Sequence, residues 1–204
     1  MLCAGTVLAA TLTLLPAAAA AQQGRWLVGV NGGYASGIGD NLEGPGSVMA
    51  AGWVLRPVAR NVDLGVEVGY HGLGTTTTRL ADLYGPGSTY REDFTRSAWQ
   101  ATASVRLRPA AVRLRPYVSA GAGGYLLRIR DVIEVRDGAG EIIPQYQFRQ
   151  TDAELHPGVI AGVGADRLVS LGRLALGVHA RWHGVIAPGG IADFFSVGVG
   201  LSLD

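Results

Sequence analysis

Four histidines, His71, His156, His179 and His183, and 16 carboxylates are the residues of this chain that could ligate a metal or move a proton. A nucleophilic serine needs a base within hydrogen-bond reach, which on a strand means a histidine two residues away on the same face or across one strand pair. No His-x-Ser occurs: His183 is followed by Gly184 and Val185, His156 by Pro157 and Gly158, and His71 by Gly72 and Leu73. His179 and His183 share one face of an extended segment, but four residues of strand separate them by about 13 Å, too far for a single ion. The only cysteine is Cys3, so one chain can form neither a disulfide nor a thiolate metal site. Glycines recur at alternate positions of strand-like segments, and none opens a helix as a phosphate loop requires. The sequence thus predicts no catalytic residue, no metal and no cofactor.

What remains is a set of charges on one repeating face. Asp63, Glu67, Arg106, Glu154, His156, Asp166, His179 and Arg181 all occupy the polar positions of segments in which apolar residues alternate with polar or small ones. They are expected to form an internal network of carboxylates with Arg and His. All 17 basic residues are Arg, and the net charge is only +1, which gives no field for attracting nucleic acid.

The alternation that places them is the main structural signal. Val62, Leu64, Val66, Val68 and Tyr70 alternate with Asp63, Gly65, Glu67, Gly69 and His71, a period of two that means strand. The same pattern runs through residues 99–108, 174–183 and 195–203. It is less regular in residues 26–34, 48–57, 116–128 and 153–166. In the third of these, Val118, Ala120 and Ala122 are out of phase with Tyr125, Leu127 and Ile129, which predicts a bulge at Gly123 or Gly124. Eight strands result, with a ten-stranded form left open by the long stretch 72–96, which could hold an additional short hairpin.

A soluble sandwich or calycin-like barrel would also alternate. Three features favour a barrel in a membrane. The polar face is dominated by Gly, Ser, Thr and charges, which suits a narrow filled lumen. Aromatic residues Trp26, Tyr34, Tyr70, Trp99, Trp182 and Phe195 stand at strand ends on the apolar face, as an interfacial girdle does. No charge interrupts the apolar face of the regular strands, as expected when a lipid-facing Arg costs about 2–4 kcal/mol. The connections also alternate long (36–46, 72–96, 131–152, 184–192) and short (58–61, 109–115, 167–172), as in an outer-membrane barrel with both termini in the periplasm. An apolar run followed by Ala19, Ala20 and Ala21 reads as an export signal over residues 1–21, leaving 22–204 as the barrel.

Together the signal, the run Pro116-Tyr117-Val118-Ser119-Ala120-Gly121-Ala122-Gly123-Gly124-Tyr125 and the closing Phe195-Ser196-Val197-Gly198-Val199-Gly200-Leu201-Ser202-Leu203 give the chain its likeness. It resembles the small outer-membrane β-barrels that include the OmpA-type transmembrane domain and the OmpX-type proteins. The resemblance implies location in the cell outer membrane among lipid and lipopolysaccharide. It also implies insertion by the barrel-assembly machinery, although the chain ends Leu203-Asp204 where that family usually ends in an aromatic residue. The expectation is an all-β, closed, antiparallel up-and-down transmembrane barrel with a structural or surface-interaction role, its long loops available to an extracellular ligand. A narrow passive pore is the alternative, and a lipid-modifying enzyme a weaker one.

Overall fold

The computed structural model describes residues 26–38, 45–109, 114–188 and 190–203. Eight strands follow one another in chain order: β1 (Leu27–Ile38), β2 (Ser47–Ala59), β3 (Val62–Ala81), β4 (Thr89–Leu107), β5 (Pro116–Arg136), β6 (Phe148–Leu171), β7 (Leu174–Ala187) and β8 (Gly190–Leu203). Every strand pairs antiparallel with its sequence neighbours, and β8 pairs with β1, so the sheet closes. A short 3₁₀ turn, Pro144–Tyr146, lies between β5 and β6. The predicted signal over 1–21, Cys3 and the terminal Asp204 lie outside the described residues.

Closure fixes the geometry. Following cross-strand partners from Val28 through Val54, Val66, Ala103, Ala122, Val159, Gly184 and Asp193 returns to β1 at Ile38, ten residues nearer the loop end. A stagger of that size over eight strands corresponds to a tilt of about 40° and a backbone radius of about 8 Å. Side chains fill such an interior completely.

Sidedness follows the pleat. Val28, Val30, Val66, Val68, Val105, Val118, Val163, Val197, Val199 and Leu201 are exposed on the outside, while Asp63, Glu67, Gln100, Thr102, Arg106, His179 and Arg181 are buried inside. Of the expected girdle, Trp26, Tyr34, Trp99 and Phe195 are exposed. Tyr70, whose ring centroid lies 5.1 Å from that of Trp99, and Trp182 share the same outer face at intermediate exposure. Five of these rings cluster towards the loop end, and Trp26 alone lies near the turn end, where Arg56 sits over it.

Two sequence expectations are corrected. No bulge interrupts β5: its register with β4 and with β6 runs unbroken through Gly123 and Gly124. The phase change is real, but Tyr125 and Leu127 simply turn inwards, where apolar side chains pack in the upper lumen. The register shifts instead fall at Pro57/Ala59, at Gly72/Gly74 and at Ala165/Val169. Nor does 72–96 hold extra strands. It continues β3 and β4 as a taller hairpin, paired from Gly74↔Arg96 to Ala81↔Thr89, so the count stays at eight. Much of 131–152 is likewise strand, since β5 runs to Arg136 and β6 starts at Phe148.

Candidate functional site

The interior is built in layers along the barrel axis, and β3 supplies one member of each. Asp63, Glu67 and His71 are four residues apart, so successive layers are separated by about 13 Å along the strand.

At the turn end, Arg108 Nη2 donates to Asp63 Oδ1 at 2.6 Å. Arg106 Nη1 reaches both oxygens of Asp166 at 2.9 Å. The Arg106 guanidinium lies 3.9 Å from the Tyr117 ring centroid and 5.1 Å from that of Trp53. Both rings are inward because the residues facing them are glycines: a Cβ at Gly29 would meet Trp53 at 2.3 Å, and one at Gly164 would meet Tyr117 at 2.5 Å. The cavity bounded by Asn31, Trp53, Arg106, Tyr117, His179 and Arg181 measures about 10 Å³, room for about one water.

In the middle layer Glu67 accepts from Gln100 Nε2 at 2.7 Å and from Arg181 Nη1. All three side chains are buried, and each comes from a different strand. A buried ion pair of this kind is tolerated only where the partners satisfy one another's hydrogen bonds.

The upper layer is aromatic. His183 stacks on Phe194 with centroids 4.2 Å apart and planes 6° from parallel. The His71 ring packs 4.7 Å from His183 and 5.0 Å from Phe194. Tyr125 Oη lies 3.2 Å from His183 Nδ1, and Ser196 Oγ lies 3.0 Å from His183 Nε2. Buried Ala35, Met49, Leu73, Ala98, Val185 and Ala192 pack around this cluster.

Six of the eight expected network residues, Asp63, Glu67, Arg106, Asp166, His179 and Arg181, are placed in the lower and middle lumen. Glu154 and His156 are not part of it. They pair with each other at 3.2 Å, and the Glu154 side chain is 68% exposed. The physical reason is height: β6 there has risen past the ends of its partners on β7, so a position on the inner parity no longer lies inside a closed wall.

Sequence spacing missed the pair Ser196–His183 because it is formed across β7 and β8. Its distance fits a nucleophile and its base. Ser196 is 1% and His183 0% exposed, however, and the ring stack seals them from any substrate. Gln100, Arg108, Tyr125 and Phe194 were also missed. Gln100 and Arg108 share the polar parity and could have been found by it. Tyr125 and Phe194 could not, because apolar residues were assigned to the lipid side.

No model of a known protein family and no curated protein matches the sequence. Solved structures do. Neisserial surface protein A aligns over 87% of this chain and 96% of its own, at 11% identity and a TM-score of 0.46. The N-terminal β-barrel domain of OprF from Pseudomonas aeruginosa aligns over 89% and 100%, at 15% identity and 0.44. Ail, the attachment invasion locus protein of Yersinia pestis, aligns over 89% and 100%, at 9% identity and 0.46. The closed ladder of this chain, rather than these overlays, establishes its architecture.

Above the barrel the structure is asymmetric. Strands β3 to β6 continue well beyond the Tyr70–Trp99 pair, while β7 and β8 end at Ala187 and Gly190. The extension is tied by Thr77 Oγ1 donating to Asp93 Oδ1 at 2.7 Å and by Arg91 Nε donating to the same oxygen at 3.1 Å. These two donors hold the Asp93 carboxyl below its usual range, the Thr77 bond contributing most. At the tip Tyr84 packs on Tyr146 at 4.4 Å. Residues 148–155 of β6 are all exposed, and β6 has no β7 partner on the loop side of Gly158 among the described residues.

Proposed function

We propose that this protein is an integral outer-membrane barrel that works by surface interaction, with the barrel as a closed anchor and the β3–β6 extension as the presented surface. The observation that carries the reading is the combination of a filled lumen and a one-sided tall wall. Ion pairs occupy the lower interior and the His183–Phe194 stack lies above them, which supports a filled lumen over an open channel. The apolar outer face needs lipid, since such a surface would otherwise drive association in water. With Leu27 of β1 and Leu203 of β8 at the turn end, the tall wall faces away from the cell. The edge of β6 on the loop side of Gly158, which has no β7 partner among the described residues, offers backbone groups to which an extended partner segment can add as a further strand.

Two measurements test this. Ala139→Cys, at the extension tip, should react with a membrane-impermeant maleimide on intact cells, whereas Asn61→Cys, at a short turn, should react only after lysis. The reverse pattern would invert the topology. Refolded protein in planar bilayers should give no stable unitary currents, and reproducible openings would favour the passive pore instead.

A further inference from the structure

Charge in this barrel is sorted along its axis. At the loop end arginines stand beside carboxylates outside the lumen, as Arg91 does beside Asp93 and Arg136 beside Glu134. The turn end differs. Arg60 lies in the β2–β3 turn and Arg173 in the β6–β7 turn, both exposed; Arg108 and Arg115 flank the β4–β5 connection, and Arg167 lies on β6 close to its turn. The described carboxylates at this end are Asp63 and Asp166, and both belong to the lumen, where Arg108 bonds the first and Arg106 the second. The described turn-end surface is therefore net positive, although the whole chain carries only +1.

The backbone holds these groups together. Arg167 lies within electrostatic reach of Arg115 and Arg108. Its N–H donates to Leu114 O at 3.3 Å, that of Asp166 to Arg115 O at 3.2 Å, and that of Arg108 to Asn61 O at 2.8 Å, so the three turns form one framework. Like charges kept in one neighbourhood raise the local potential, and an anionic partner lowers it. Arg108, Arg115 and Arg167 gather at the lower mouth of the lumen beside Asp63 and Asp166, where lipid packed around the outer wall does not reach. Arg60 and Arg173 stand on separate turns and carry the positive surface around a rim about 16 Å across.

We propose that the turn end docks on a polymer bearing regularly spaced carboxylates on the cell side of the outer membrane, of the peptidoglycan type, a proposal that rests on the membrane-spanning reading above. Arginines spread over several turns suit a ligand that offers one negative charge at a time along its length. Each guanidinium fork matches a carboxylate, and contacts that are weak singly act together when both surfaces repeat them.

The test mixes the full barrel in mild non-ionic detergent with insoluble, protein-free peptidoglycan sacculi and separates them by centrifugation. Wild type should sediment with the sacculi at low salt and be released at roughly 0.5 M salt. R60Q/R173Q should weaken retention about twentyfold, following the usual gain per arginine at an anionic surface, and adding R115Q should weaken it further. R79Q/R149Q, which removes as much charge from the loop end, should leave retention unchanged. Sacculi whose carboxylates have been converted to neutral amides should retain no barrel. Equal retention by wild type and the triple variant, or by amidated and untreated sacculi, overturns the site. Tighter binding of polyglutamate than of soluble sacculus fragments assigns the surface to an acidic protein and overturns the wall polymer. Heat-modifiable migration of each sample separates the outcomes: an intact barrel that stays in the supernatant defeats this proposal alone, whereas a wild type with no heat-modifiable form defeats the membrane reading.

Discussion

Glu67 and Val66 are adjacent on β3 and meet opposite environments, which makes them the sharpest probe of facing. Glu67 is held by Gln100 and Arg181 inside the barrel, while Val66 is 58% exposed outside it. Val66→Arg puts a guanidinium in hydrocarbon at a cost of about 2–4 kcal/mol near the bilayer centre, so the yield of inserted barrel in vesicles should fall. Glu67→Gln keeps the shape and a hydrogen-bond acceptor for Arg181 but removes the balancing charge. It should insert normally and melt at a lower temperature, because Arg181 is then buried without a counter-charge. Heat-modifiable migration after refolding into vesicles reads the first effect and thermal unfolding the second. Loss of insertion in the Glu67 variant with none in the Val66 variant would reverse the facing of β3.

The β3–β4 hairpin shows how one element serves two settings. Below Tyr70 and Trp99 its outer face is apolar, and above them the same face carries Thr75, Thr77 and Arg79 against Thr95, Asp93 and Arg91. The shift at Gly72/Gly74 lies at that border, and Gly74 has φ +101°, a conformation that side-chain-bearing residues rarely adopt. Because Asp93 ionises more readily here than in an unfolded chain, its contribution to the extension is complete above the unfolded value of 3.8 and is lost as pH falls through the lower folded value. Carboxyl carbon shifts should show Asp93 titrating below 3.8, and Thr77→Val should move that midpoint upwards by removing the largest cause. A midpoint unaffected by the substitution would show that the Thr77 bond does not form in solution.

At the scale of the whole molecule, stability depends on closure. β8 pairs with β7 from Leu203 to Gly190 and with β1 from Leu203 to Asp193, so it has no free edge. Removing residues 197–203 would strip partners from β1 and β7 together, and each unpaired backbone group in hydrocarbon costs several kcal/mol. The truncated chain should therefore give neither a heat-modifiable band nor a protease-protected core in vesicles. A detergent-free, soluble and monomeric full-length barrel would show that the outer face does not require lipid. Within the closed wall, the ion pairs and the ring stack are held by strands far apart in sequence: Glu67 and Arg181 are separated by 114 residues, and Tyr125 and His183 by 58.

The sequence by itself determined eight alternating segments, their facing where apolar and polar residues alternate strictly, and the polar character of the lower lumen, while the pairing of 72–96 as a taller β3–β4 hairpin excluded the ten-stranded form. Val62 to Tyr70 could hardly be read otherwise, because a one-residue slip would exchange lipid-facing and lumen-facing sets. Only the tertiary structure decided the upper lumen. Tyr125, Leu127 and Phe194 are apolar yet point inwards, since a plugged interior excludes water as lipid does, and hydrophobicity there stops marking one side of the wall. Only closure and stagger decided that His183 meets Ser196, that Arg106 meets Asp166, and that Glu154 and His156 rise clear of the network. Those contacts depend on the relative heights of strands around a ring, a quantity that no single segment of the chain contains.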